Sequence, residues 1–523
     1  MIWKKKGTRV ATTVLVMVVS IAMLTWAAGT TASAIDRGTL ALAVSPTSHH
    51  TIVVYPNGHG DTSDLQAAFN SCVSFGPGCT VELVKGTYYT AQIAVYGFQG
   101  SFVGAGQGGT VIQGLPNLPP PGPSYNNATV PFWAGMPTGA TGSNPWPVLF
   151  TFVGGAFGMS GMTITEPYAN PILSPGWYEP SEVGDGAFTA LYAAVLITGQ
   201  TGQQAYATID HVTVLGAVGD VAPFPFTGPS PSTFNLDNGI AYEGMFLPTG
   251  WSDPFADQIP VSGAFSLTNS VLSYSEDAVW VENTLDASAT ICFNSISSSP
   301  SPGFVDLSNS QLLFCGNIVT NVAYYTGLYG GQSYYKTDLL PSTVYVTDNY
   351  FGTNWGGAGP ALFDYGAWFY GIASTLSAVV TGNVVVSDTS CGCYLSTYVE
   401  MISFSLVSAV FSGNVVVDGG AGIVVNDLYP APNTGPVVIS GNTVVGADIG
   451  IDVHYANGNH VTGNVVKNSP MYGIIVWGGS SDNVVSYNVV KGSGLYDLYW
   501  DGTGTGNVWT HNICSTSSPP GLC

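Results

Sequence analysis

An all-β solenoid of stacked parallel coils is the fold class this sequence predicts, and three observations predict it. First, one short pattern recurs between Ala409 and Asn512: Gly413-Asn414-Val415-Val416, Gly441-Asn442-Thr443-Val444, Gly463-Asn464-Val465-Val466, Tyr487-Asn488-Val489-Val490 and His511-Asn512-Ile513. Second, its asparagines are 28, 22, 24 and 24 residues apart, a period that belongs to one turn of a solenoid. Third, each pattern is followed by a second apolar run, as in Gly422-Ile423-Val424-Val425, Gly450-Ile451-Asp452-Val453, Gly473-Ile474-Ile475-Val476 and Leu495 to Trp500. Runs this short, bounded by Gly, Asn and Ser, are strands. One coil of two or three such strands cannot bury its apolar face, and stacking joins those faces into a continuous core.

The asparagine has a local reason to recur. It tolerates left-handed backbone angles at a bend, and its amide can hydrogen-bond the equivalent amide one coil away. Asn also simply suits turns, but recurrence at coil spacing favours the ladder. These repeats resemble the right-handed parallel β-helix proteins of the pectin-lyase-like superfamily, in particular those with short Gly-Asn-x-Val repeats. The resemblance runs upstream through Asn269, Asn294, Asn317, Asn349 and Asn383 to the head segment, and so over most of the mature chain. It implies a right-handed parallel β-helix. It leaves activity open, because that architecture hosts lyases, hydrolases, esterases, epimerases and non-catalytic surface proteins.

In chain order, residues 1–34 carry Lys4, Lys5, Lys6 and Arg9, an apolar run from Val10, and Ala32-Ser33-Ala34. That is the order of a secretory signal peptide; an uncleaved anchor is the alternative, since the apolar run is long. Residues 35–50 read as a linker, and 51–523 as one β-helix domain. Within it, 51–114 form the cap and first coils, 115–262 coils with long insertions, 263–512 regular coils, and 513–523 the end. In the head, Asp61 to Cys72 opens on N-cap residues and puts Leu65, Ala68, Phe69 and Cys72 on one face of a short helix, which would cover the solenoid's open end. Gly86-Thr87-Tyr88 then closes an apolar strand, as superfamily members commonly begin.

Eight cysteines, an even count in an exported chain, suggest disulfides. Cys72 would pair with Cys79, Cys292 with Cys315 one coil on, and Cys514 with Cys523. Partners for Cys391 and Cys393 stay open. Without the signal segment the basic residues fall from 9 to 5 against 31 acidic ones, a formal charge of 5 − 31 = −26. Such a surface repels nucleic acid, anionic lipid and polyanionic glycans. No membrane contact is expected beyond the signal or anchor segment. With only 8% charged residues, against roughly 25% as usual, the composition suits an acidic habitat, although a coat of Ser, Thr, Asn and Gly also needs few charges.

The insertions at 116–147, 170–185 and 221–260 carry large aromatics, and loops of this length are usually functional. Trp133, Trp146, Trp177 and Trp251 are the candidate substrate-binding residues. Aligning Ile240, Val279, Ile423, Ile451 and Ile474 as inward residues puts Glu243, Glu282, Asn426, His454 and Trp477 in one outward column. Asp306, Asp364 and Asp501 fit the same row, with Asp237 and Asp277 in reserve. Coils stack at about 4.8 Å, so this column can supply the carboxylate separations of a glycosidase. Glu243, Glu282 and Asp306 are therefore the candidate catalytic residues. Solubility alone also explains outward carboxylates. No cofactor is expected; calcium would suit clustered carboxylates, but no calcium-loop motif is present. Asp452, His454 and His460 read as solvated side chains on a polar strand.

Absences narrow the chemistry. The polyuronate lyases of the superfamily use an Arg or Lys base and its pectin esterases an Arg beside paired Asp, whereas Arg37 is the single Arg past the signal segment. Two readings follow: a secreted or cell-surface protein that binds, and as a glycoside hydrolase cleaves, a neutral polysaccharide through paired carboxylates, or a non-catalytic extracellular solenoid with a structural or adhesive role.

Overall fold

The structure, a computed structural model, describes residues 50–91, 93–115, 148–165, 191–199, 203–216, 236–246, 258–275, 277–297, 303–320, 328–332, 341–352, 367–371, 376–386, 401–404, 408–426 and 436–523. The chain divides into two units, Met1–Thr47 and Ser48–Cys523, and every described residue belongs to the second.

Short strands in this unit pair in parallel with the equivalent strand of the next coil. Three strands make one coil in the C-terminal part: Ser408–Ser412, Val415–Val417 and Ala421–Asn426 are followed by Val437–Ser440, Thr443–Val445 and Ile449–His454. Each strand meets its successor in register, as in Val416 with Val444 and Ile423 with Ile451. The inward residues Val416, Val444, Val466 and Val490 and Ile423, Ile451 and Ile474 are all fully buried. They form one continuous core, as the repeat period predicts.

The asparagine ladder is present and longer than the five conspicuous repeats. Asn294, Asn317, Asn349, Asn383, Asn414, Asn442, Asn464, Asn488 and Asn512 are linked amide to amide, each Nδ2 donating to the next Oδ1 at 2.9–3.0 Å. Each Oδ1 from Asn317 onward also accepts the backbone N–H of the preceding asparagine. Two details differ from expectation. Left-handed angles belong to the residue before the asparagine, among them Phe293, Gly316, Asp348, Gly382, Gly413, Gly441, Gly463, Tyr487 and His511, with φ between 45° and 70°. That explains the Gly of Gly-Asn, since glycine adopts this conformation without a Cβ clash. Asn269 likewise stands one place early, at φ 49°; Ser270 fills the ladder position and donates its N–H to Asn294 Oδ1 at 2.9 Å. A second ladder, Asn459 to Asn483 to Asn507, runs at another corner with Nδ2 to Oδ1 distances of 3.0 and 3.1 Å.

The helix α1 (Thr62–Phe75) buries Leu65, Ala68, Phe69 and Cys72, the four residues its periodicity selects. Phe69 packs edge-on against Phe98, Phe102 and Phe152, with ring centroids 5.0–5.7 Å apart. Asp61 precedes the helix but makes no side-chain cap. Its fully buried carboxylate instead accepts the backbone N–H of Asn57 at 2.7 Å and of Tyr89 at 2.8 Å, tying the helix start to the first coil.

Disulfides join Cys72 to Cys79, Cys292 to Cys315 and Cys514 to Cys523; Cys391 and Cys393 lie outside the described residues. The Cys292–Cys315 bridge links adjacent coils across a separation of 23 residues. Closing a loop of that size restricts the unfolded chain. Replacing both cysteines by serine is expected to lower the unfolding free energy by about 3 kcal/mol, as a fall in the denaturation midpoint.

Candidate functional site

The register places Glu243 directly opposite Glu282 on adjacent coils, with Ile240 opposite Val279, Ala241 opposite Trp280 and Tyr242 opposite Val281. Ile240, Tyr242, Val279 and Val281 point into the coil and are buried. Tyr242 donates its hydroxyl to the Ala205 carbonyl at 3.2 Å, and burial pushes its pKa well above the ordinary phenol value. Alternation therefore turns Ala241, Glu243, Trp280 and Glu282 to the outer wall. Trp280 Nε1–H donates to Glu282 Oε2 at 2.8 Å, an anchor that alternate positions on one strand supply and that the sequence alignment overlooked.

This wall is not the polar, solvated face that outward strand positions suggest. Thr151, Val153, Leu196, Thr198, Ala241 and Glu243 all point away from the coil interior, yet none is more than 4% exposed. Glu243 itself is 1% exposed, so the first carboxylate of the pair sits on a covered, largely apolar wall.

Other expected members of the row are distributed unevenly. Val281 lies opposite Val305 and Thr284 opposite Leu307, so two residues, Glu282 and Asn283, face the single Asp306. This is a bulge, and it leaves Asp306 in the next coil of the row by its backbone position. Asn426 pairs with His454, and His454 with Trp477; Val476 opposite Trp500 brings Asp501 one coil beyond Trp477. Asn238, rather than Asp237, is opposite Asp277. Asp364 and the four candidate aromatics Trp133, Trp146, Trp177 and Trp251 lie outside the described residues.

Asp452 and His454 depart from the solvated reading. Their side chains are 9% and 13% exposed, with His454 Nδ1 3.3 Å from Asp452 Oδ1. Trp477 Nε1–H donates to the same Asp452 oxygen at 2.8 Å. His460, by contrast, is exposed.

Several aspartates report on acid tolerance. Burial holds the carboxyls of Asp348, Asp418 and Asp448 above the usual range. For Asp210 and Asp501 burial pushes upward as well, but hydrogen bonds outweigh it and leave both below the usual range, from Asn269, His211 and Thr268 at Asp210 and from Thr503 and Gly478 at Asp501. A carboxyl raised in the folded state binds more protons there than in the unfolded chain, so its contribution is intact at low pH and lost as pH rises through the unfolded and then the folded value. The two lowered groups act in the opposite sense, losing their contribution as pH falls through their folded values. Together with the net negative charge, the three raised groups lead to a thermal midpoint expected to be higher near pH 4 than at pH 7. A midpoint that peaks at pH 7 and collapses near pH 3 overturns this expectation.

Against known proteins, residues 365–517 match the family model described as periplasmic copper-binding protein (NosD). The N-terminal fragment of bacteriophage Phi29 gene product 12 superposes with a TM-score of 0.51 at 12% identity, over 86% of this chain and 69% of that one. The chain is a parallel β-helix protein. The catalytic unit of the GH87 α-1,3-glucanase from Streptomyces thermodiastaticus superposes on this β-helix with a TM-score of 0.45 at 12% identity, over 91% and 71% of the two chains. The polygalacturonase of Erwinia carotovora does so with a TM-score of 0.38 at 11% identity, over 88% and 95%. No curated protein sequence matches. Among the described residues no three His, Cys, Asp or Glu side chains are grouped so that they could hold a metal ion. Among the same residues no helix is long and apolar enough to cross a membrane.

Proposed function

We propose that this β-helix protein acts outside the reducing cytoplasm, binding a neutral polysaccharide on its outer wall and cleaving it with Glu243 and Glu282. The observation that carries the reading is the register of the two glutamates, opposite each other on adjacent coils. One coil step is about 4.8 Å, close to the ~5 Å separation of a retaining glycosidase. Glu282, with Oε2 fixed by Trp280 Nε1–H, is assigned as nucleophile and Glu243 as proton donor. Glu243 would protonate the glycosidic oxygen as that bond to the anomeric carbon breaks and a Glu282 carboxylate oxygen bonds the same carbon. Water, giving its proton to Glu243, would then displace Glu282 from the glycosyl ester. Asp306, next in the row by its backbone, is assigned a substrate contact, and the tryptophans Trp133, Trp146, Trp177 and Trp251 remain the proposed sugar platforms. Three disulfides support an oxidising compartment, and the shortage of basic residues supports a neutral glycan.

One observation favours the second reading, a non-catalytic solenoid. Glu243 is 1% exposed, and a general acid must reach its substrate. Incubation with neutral polysaccharides at acidic and neutral pH separates the two. Release of reducing ends supports cleavage, and its absence across the set at both pH values supports the solenoid.

A further inference from the structure

A carboxylate stands where the coil has no structural use for one. Asp452 lies on the outer wall of Ile449–His454, in register with Val424 one coil before and Ile475 one coil after. Those neighbours are each 5% exposed and Asp452 is 7%. An aliphatic residue would continue this column at no desolvation cost, whereas a carboxylate needs partners. Its Oδ1 accepts Trp477 Nε1–H at 2.8 Å and lies 3.3 Å from His454 Nδ1. That nitrogen is buried and not aligned for a hydrogen bond, so the Nε2 edge is the part of the imidazole left to meet a ligand. The His454 ring is 5.0 Å from Trp477 and 5.4 Å from Tyr455, and Tyr455 is 44% exposed. Asn426 and Asp501 continue the row on either side.

We propose that Asp452, His454, Tyr455 and Trp477 form a second saccharide-binding site, which takes one neutral pyranose ring of a polysaccharide lying along the row. Aromatic faces supply the surface on which the apolar face of a pyranose stacks, and the imidazole Nε2 and Asn426 supply partners for ring hydroxyls. Asp452 is a positioning residue that fixes the indole of Trp477. The site shares its row with Glu282, six coil steps away through Asp306, Gly331, Tyr370, Phe404 and Asn426 to His454, roughly 29 Å at the usual spacing. A polymer held here is therefore delivered along the row to the glutamate pair. This inference rests on the carbohydrate reading above.

Affinity electrophoresis of the full chain in native gels containing laminarin, pullulan, dextran or galactomannan tests it. The variants are Trp477→Ala, Tyr455→Ala and the double variant Glu243→Gln/Glu282→Gln, with thermal melts to confirm folding. Tyr455 is the surface residue of the cluster, so its variant reports on binding even if Trp477→Ala misfolds. The site is supported if wild type is retarded in at least one gel, Tyr455→Ala and folded Trp477→Ala weaken that binding at least tenfold, and the glutamate variant binds within about twofold of wild type. Retardation of wild type that Tyr455→Ala leaves unchanged overturns this site while keeping the carbohydrate reading. Absence of retardation in all four gels overturns both.

Discussion

Replacing Asn442 by alanine is expected to destabilise the solenoid by about 4 kcal/mol, measured as a shift in the chemical denaturation midpoint. The fully buried Asn442 side chain makes four hydrogen bonds: Nδ2 donates to the Phe411 carbonyl at 2.8 Å and to Asn464 Oδ1 at 2.9 Å, and Oδ1 accepts Asn414 N–H and Asn414 Nδ2–H, both at 2.9 Å. Alanine deletes all four and leaves a backbone N–H, a carbonyl and two side-chain amides short of a partner in a fully buried site. Each buried orphan costs about 1–3 kcal/mol, and the sum is reduced by local relaxation. Asn507→Ala is the control: that side chain ends the short ladder and is half-buried, so a loss of about 1 kcal/mol is expected. Equal effects at the two positions would show that the ladder is decoration on a core that stands by itself.

Glu282→Gln is expected to reduce polysaccharide cleavage by at least about a thousandfold, and Glu243→Gln by about a hundred- to ten-thousandfold. On the proposed mechanism the first removes the attacking carboxylate and leaves an amide of the same shape beside Trp280. The second removes the proposed proton donor. Because the two residues occupy adjacent coils, the anomeric configuration of the product should be retained, which proton NMR of the first-formed sugar reads directly. Inversion would point to carboxylates farther apart, with Asp306 in place of one glutamate. Wild-type rates in both variants would remove the pair from the chemistry.

The coil architecture was legible because period and alternation are local signals: five asparagines at coil spacing and strands of alternating burial read straight off the residues. The same alternation put Glu243 against Glu282 before any coordinates. Burial of the outer wall was not legible, since Val153, Leu196 and Ala241 look the same in sequence whether they face solvent or are covered. Nor was the Glu282/Asn283 bulge, because one extra residue in a strand leaves no compositional mark. The second ladder had a signal, Asn459, Asn483 and Asn507 at intervals of 24 with Gly458 and Gly506 before two of them, but three members make a shorter run than the first ladder's. His454 was misread because polarity suggested solvent, while its neighbours on the adjoining coil, Trp477 above all, close over it.

Asn464 and Asn488 occupy the same azimuth, separated by 24 residues, and Asn442 presents to Asn464 the same amide that Asn464 presents to Asn488. Excising 464–487 would join Gly463 to Asn488 and leave every amide with a successor. Duplicating that segment would do the same. Unequal recombination can thus lengthen or shorten such a molecule in whole-turn increments without breaking the ladder.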